Sequence, residues 1–129
     1  MLGEVMKYDL TLPWPPSINH YYGRRPKGGV YIKAAGKAFR QAVCVMMAAR
    51  GVNPLQGDLS LLMWVWPPDK RRRDLDNLQK ATQDALQHGG AYHDDCQIAE
   101  YSVKRMQPVK GGKVVVRIST IPPIGECTI

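Results

Sequence analysis

The residues best suited to chemistry lie in one short run, Asp69-Lys70-Arg71-Arg72-Arg73-Asp74-Leu75-Asp76-Asn77-Leu78-Gln79-Lys80. Asp74 and Asp76 fall in or just before the first turn of a predicted helix. Free N–H groups and the helix dipole favour negative charge there by about 0.3–1 kcal/mol each. Asp76 and Lys80 are four residues apart and share a helix face, with Asp84 one turn further on. Asp94-Asp95 follows a second predicted turn at Gly89-Gly90, from which the chain can fold back towards that helix. Four carboxylates converging there repel one another unless a cation neutralises them, and a hard divalent ion is the natural choice. Mg²⁺ takes oxygen ligands and keeps several waters. Carboxylates, Mg²⁺ and a lysine beside a basic surface suit phosphodiester hydrolysis. The metal activates a water and stabilises the leaving oxygen. The lysine offsets charge in the transition state. The bland alternative is a helix cap plus a surface ion pair with Lys80.

The charge distribution supports the phosphate reading. The chain has 129 residues, 18 Lys plus Arg against 11 Asp plus Glu, and a formal charge of +7. The excess points to a polyanionic partner. No acid occurs between Asp9 and Asp58, a stretch that holds Arg24, Arg25, Lys27, Lys33, Lys37, Arg40 and Arg50. None occurs between Glu100 and Glu126, where Lys104, Arg105, Lys110, Lys113 and Arg117 fall. The acids gather between Asp69 and Asp95, directly against Lys70-Arg71-Arg72-Arg73. Tyr21 and Tyr22, near Arg24 and Arg25, are candidates for stacking on bases. Trp14, Trp64 and Trp66 read as core or loop anchors. His88, His93 and Cys96 do not fit the usual zinc spacings.

The elements that must position these residues can be read from periodicity. Lys7 to Leu12 alternates, with Tyr8, Leu10 and Leu12 on one face, and predicts a half-buried strand. Pro13-Trp14-Pro15-Pro16-Ser17 forces a rigid loop. Asn19 to Gly29 reads as an exposed, mobile loop, and Val30 to Lys33 as a short strand. Ala34 to Arg50 is a predicted helix with Phe39, Ala42, Val43, Met46 and Met47 on its apolar stripe and Gly51 beyond its end. Leu59 to Trp66 is bulky on both faces and reads as a central strand. Asp74 to His88 is the second helix, with Leu75, Leu78, Thr82, Ala85 and Leu86 inward. Ile98 to Met106 and Lys113 to Ile121 are two more strands, expected to form a hairpin across Lys110-Gly111-Gly112. The sum is an α+β (mixed α/β) single domain over residues 1–129, two layers, with helices on a mixed sheet.

At this point the residues match a known pattern. Leu10-Thr11-Leu12-Pro13-Trp14-Pro15-Pro16-Ser17, the segment Arg71 to Lys80, Asp94-Asp95 and Lys110-Gly111-Gly112 together resemble the RusA family of phage and prophage Holliday-junction resolvases, over nearly the whole chain. The resemblance implies a RusA-like fold and a homodimeric, Mg²⁺-dependent endonuclease that cuts two opposed strands of four-way junction DNA symmetrically. By resemblance the catalytic and metal-binding aspartates are Asp74, Asp76 and Asp95, and the essential lysine is Lys80. Arg73 and Asn77 match positions linked to the site and to DNA contact. Arg71, Arg72, Arg24 and Arg25 are further candidate DNA contacts on charge.

Two other classes compete with a nuclease. One is a non-catalytic DNA-binding protein with structural carboxylates, and the other is an enzyme for a small phosphorylated metabolite, which does not need so many scattered cations. No apolar run approaches the ~18–20 residues of a membrane span, so no membrane partner is expected. The first ten residues lack the apolar run of a signal peptide. Three widely spaced cysteines, Cys44, Cys96 and Cys127, read as reduced thiols. The expected location is the cytoplasm of a bacterial host, and the tail after Pro122-Pro123 is expected to fray.

Overall fold

Leu10 and Leu12 face inward while Asp9 and Thr11 face out, and that alternation builds β1 (Lys7–Leu12). The structure, a computed structural model, describes residues 6–121. Cys127 and the tail after Pro122-Pro123 lie outside the described residues. The order that follows β1 is α1 (Ile18–Tyr21), β2 (Tyr22–Arg24), β3 (Val30–Ile32), α2 (Ala34–Ala49), β4 (Leu59–Trp66), α3 (Leu75–His88), a 3₁₀ turn (Asp95–Gln97), β5 (Ile98–Arg105) and β6 (Lys113–Thr120). Four strands form one sheet in the order β1-β6-β4-β5, and β2 pairs with β3 in a separate small hairpin. The expected α+β class, with helices on a mixed sheet, is what forms. Among the described residues no helix is long and apolar enough to cross a membrane.

Inward side chains line up in rows across the strands. Leu12, Val114 and Val65 make one row, and Leu10, Val116 and Met63 the next. All six are at most 1% exposed. β5 runs parallel to β4 and extends the rows at Val103, opposite Met63, and at Arg105, opposite Val65. An arginine thus occupies an inward-row position at the open end of the sheet.

Two expectations about the sheet and its approach fail, each for a tertiary reason. β5 and β6 do not form a hairpin: β6 lies between β1 and β4, antiparallel to both, while β5 sits on the far side of β4. The apolar rows of β6 match those of β1 and β4 and outweigh the local turn at Gly111-Gly112. The segment from Asn19 is not wholly an exposed loop either. It contributes α1 and β2, because Tyr21 is fully buried and anchors the segment to the core.

α2 and α3 pack on the inner face. α2 buries Gly36, Phe39, Val43 and Met47, whereas Ala42, expected on the stripe, is exposed. Gly36 lies where a Cβ would come within 2.7 Å of the Tyr21 carbonyl oxygen and 2.8 Å of Ile32 Cγ2, so α2 can press against the base of the β2–β3 hairpin. α3 buries Leu78, Ala81, Thr82, Ala85 and Leu86. Its opposite edge carries Asp76, Lys80, Gln83 and Gln87, which fall within about 60° on a helix of 3.6 residues per turn. The outer face of the sheet, with Leu62, Trp64 and Trp66, stays half-exposed, so β4 is central in order without being buried on both faces.

Candidate active site

The linker from β4 into α3 sets the site. After Trp66, the Asp69 carboxylate accepts a hydrogen bond from the Arg71 N–H (2.9 Å) and pairs with Arg73 Nη1 (2.8 Å). Hydrogen bonds from Arg73 and then from the Arg71 backbone hold its carboxyl below the ordinary range. The Arg73 guanidinium also lies 5.6 Å from the centre of the Trp14 ring. Arg73 is therefore committed to shaping the linker. Arg71 keeps a loose 3.8 Å contact to Asp69 and is 83% exposed. Arg72 is exposed with no acidic partner among the described residues.

Asp74 is the N-cap of α3 by position, with extended backbone angles, yet its side chain makes no capping hydrogen bond. Asp76 lies in the first turn and forms no ion pair with Lys80 within 4.0 Å, although the spacing allows one. Both carboxylates are exposed and unpartnered among the described residues. The cap and ion-pair alternative thus accounts for neither. Asp74 and Asn77 border a cleft of about 550 Å³ whose other walls are Trp14, Pro15, Pro16, Arg72, Arg73 and Arg105. The proline loop can close on this cleft because position 112 is glycine: a Cβ there would lie 3.0 Å from Trp14 Cβ and 3.1 Å from Pro68 Cδ.

Lys80 projects on the same helix edge, with its Nζ 5.2 Å from the Tyr22 ring centre. That distance is in the range of a cation–π contact. Tyr22 in turn packs on Tyr21, ring centres 4.5 Å apart. The Tyr21 hydroxyl donates to Asp84, and Arg40 binds both Asp84 oxygens through Nε (2.8 Å) and Nη2 (2.9 Å). Burial pushes the Asp84 carboxyl up, but the hydrogen bonds from Arg40 and Tyr21 outweigh it and leave it below its ordinary value. Burial, with Asp84 adding, pushes the Tyr22 hydroxyl up to about 12. It stays protonated and neutral beneath the lysine. Of the two tyrosines expected to stack on bases, Tyr21 is therefore a core anchor, and Tyr22 supports Lys80.

Asp94 and Asp95 do not join Asp74 and Asp76. Asp94 caps the 3₁₀ turn, accepting from the Cys96 N–H at 2.8 Å. Asp95 lies beside the later half of α3. Its N–H donates to Gln87 Oε1 (3.1 Å), and its Oδ1 is 2.9 Å from the Tyr92 hydroxyl. That hydroxyl is also 2.8 Å from the Gln83 carbonyl, so its single proton is shared between two acceptors. Gln83 is seven residues beyond Asp76, a rise of about 10 Å. Among the described residues no three His, Cys, Asp or Glu side chains stand close enough to hold a metal ion. Arg24 and Arg25 are exposed near the tip of the β2–β3 hairpin and do not line the cleft. Arg105 does line it and was not singled out from the sequence. Its signal is the inward register opposite Val65, which is invisible without the sheet pairing.

Fold and site together define an α+β protein with an arginine-walled cleft, two unpartnered carboxylates at a helix start and a lysine one turn on. The profile of the family described as Endodeoxyribonuclease RusA matches residues 13–119. The crossover junction endodeoxyribonuclease RusA of Escherichia coli strain K12 is 43% identical over 118 residues, covering 87% of this chain and 93% of that one. The corresponding protein of Enterobacteria phage 82 is 44% identical over 118 residues, with the same coverage. That of Shigella sonnei is 43% identical. The chain belongs to the RusA family of endodeoxyribonucleases.

The Arg40–Asp84 pair yields a stability prediction. Its side chains are only 23% and 28% exposed. Arg40→Met leaves a half-buried carboxylate with one partner fewer, which should lower the unfolding free energy at pH 7 by about 1–3 kcal/mol. Asp84 titrates lower in the folded chain than in the unfolded one. The pair's contribution is therefore complete above the unfolded value and drains away as pH falls through the folded value. Urea melts at pH 7 and pH 3 should show the wild-type advantage over Arg40→Met shrinking in acid. An advantage that grows in acid contradicts the assignment.

Proposed function

We propose that this chain is a crossover junction endodeoxyribonuclease, one RusA-like domain over residues 1–129. It works in the bacterial cytoplasm, on a phage or prophage programme of DNA recombination and repair, as a homodimer that cuts four-way junction DNA in opposed strands. The observation that carries this reading is the state of Asp74 and Asp76. In a chain of the RusA family, both stand exposed at the start of α3 with neither a cap nor an ion pair to account for them, and Asp74 lines a cationic cleft. A non-catalytic DNA-binding protein has no use for such carboxylates, since they repel phosphate.

The cofactor in this reading is Mg²⁺. The donor chemistry of Asp74 and Asp76 fits it, because Mg²⁺ is commonly held by one or two carboxylates together with waters and substrate phosphate. When bound, it supplies Lewis-acid stabilisation of charge on the scissile phosphate. Arg71, Arg72 and Asn77 contact the DNA at the cleft, Arg73 holds the linker that presents them, and Arg24 and Arg25 hold a more distant stretch of phosphate. Lys80, with its ammonium over the neutral Tyr22 ring, offsets the negative charge that grows on the phosphoryl oxygens. Asp95 completes the acidic set. Its bond to Gln87, about three turns beyond Asp76, favours its acting at the site of the second copy, which makes the homodimer a requirement of the chemistry as well as of paired cutting.

Incubation with an end-labelled synthetic four-way junction should give symmetric paired nicks with Mg²⁺ and none without it. Lys80→Ala should cut about 10²–10³-fold more slowly while binding the junction almost as well. Equal losses in rate and binding would reduce Lys80 to a phosphate contact. Folded Asp76→Asn and Asp95→Asn proteins should each be inactive, and mixing them should restore nicking through hybrid dimers with one intact site. Failure of the mixture to cut would place the whole acidic set in one chain.

A further inference from the structure

The cleft beside Asp74 has a wall that phosphate chemistry does not require. Trp14 and Pro16, both half-buried, give it an apolar lining; Pro15 is buried, Gly112 packs against Trp14, and Arg73 lies 5.6 Å from the Trp14 ring centre, so a base meets the free edge of this wall. Arg72 and Arg105 line the same cleft, exposed and without an acidic partner among the described residues. The nearby Asp69 is committed to Arg73 and Arg71. We propose that this cleft is a subsite for one unpaired nucleotide, with its base against the Trp14–Pro16 wall and its phosphate on Arg72 and Arg105. The proposal rests on the nuclease reading above and names what that reading leaves open, the part of the DNA that enters the cleft.

Three observations converge on a nucleotide. The volume, about 550 Å³, lies within the range of small-molecule sites. An inorganic anion needs the arginines but not the apolar wall, and an apolar ligand needs the wall but not the arginines. A nucleotide presents both surfaces at once, and the Asn77 amide on the lip offers donors and an acceptor to a base edge. The third observation is continuity. Arg105 also borders a second cleft of about 560 Å³, where Lys70, Arg71 and Lys104 outnumber the one carboxylate, Asp69, and continue the cationic surface. In intact duplex the faces of the bases are covered by their neighbours, so only an unstacked base can meet Trp14. A branch point supplies one, and the subsite therefore favours branched over linear DNA.

The test uses the whole protein without divalent metal, to prevent cutting, and reads tryptophan fluorescence. The probes are a single-stranded trinucleotide, the same trinucleotide with an abasic centre, and inorganic phosphate. Wild type should show quenching by the trinucleotide that is lost in Trp14→Phe, in which Trp64 and Trp66 remain. The abasic probe should bind about tenfold more weakly, the typical worth of one base on an aromatic wall. Arg105→Gln should weaken both oligonucleotides alike, because it holds backbone. Thermal melts confirm that the variants fold. Equal affinity for normal and abasic probes, quenching retained in Trp14→Phe, phosphate binding as well as the trinucleotide, or Arg105→Gln indistinguishable from wild type would each overturn the subsite. A protein that passes these tests but cuts no junction would sink the nuclease reading alone. One that cuts junctions but fails them would sink the subsite alone.

Discussion

A half-buried carboxylate, Asp84, is gripped by the fork of Arg40 and the hydroxyl of Tyr21, and three separately built pieces meet there. Arg40 comes from α2, Asp84 from the middle of α3, and Tyr21 from the last turn of α1. The inner face of α3 is fixed to the sheet by burial of Leu78, Ala81, Ala85 and Leu86. Burial is non-directional and leaves the rotation of a helix loosely specified. A bidentate ion pair has a set geometry and removes that freedom. Once α3 is fixed in rotation, Asp76 and Lys80 face one way, Tyr22 lies beneath the lysine, and Gln83 and Gln87 receive the segment around Asp95. The orientation of the candidate site thus depends on an interaction that touches neither Asp76 nor Lys80.

The acidic residues divide by what they do for the fold. Asp9 holds Arg117 on the outer face of the sheet, Asp69 holds Arg73 in the linker, Asp84 holds Arg40, and Asp94 caps a turn. Asp74 and Asp76 do none of this, and Asp74 lines a cleft with the unpaired arginines Arg72 and Arg105. In a folded chain free to relax, exposed carboxylates so near guanidinium groups would ordinarily fold onto them. Here the arginine within easiest reach, Arg73, is already bound to Asp69 and lies beside Trp14. The linker therefore keeps Arg73 away from the two carboxylates.

Much of this was legible in the sequence, for reasons that particular residues make plain. The alternation of Tyr8, Leu10 and Leu12 and the helical spacing of Leu78, Ala85 and Leu86 are local signals of burial, and the elements formed where those signals lay. The run from Asp69 to Lys80 was visible because its charges break every ordinary pattern at once. Partner choice was not legible. A Gly111-Gly112 turn signals a hairpin, yet β6 pairs with β1 and β4 because Val114, Val116 and Ile118 match their rows, a fact about distant residues. Asp94-Asp95 suggested a return to the helix start, and only the bonds of Tyr92 and Gln87 show that the chain docks further along. Tyr21 read as an exposed aromatic among cations, since nothing near it in sequence announces Asp84, 63 residues away. Arg105 carries no local signal, because its direction is set by register with Val65.

The central claim is that the Asp76 carboxylate serves the reaction and not the helix. Asn has nearly the same shape as Asp, is as good at a helix N-terminus, and is a poor ligand for a hard cation. The decisive measurement is the rate of four-way junction cleavage by folded Asp76→Asn in Mg²⁺, set beside its junction affinity in Ca²⁺. The account predicts an unchanged thermal melt, affinity equal to or tighter than wild type because a charge facing phosphate is gone, and loss of cutting. Cutting by Asp76→Asn at a rate near that of wild type would contradict it.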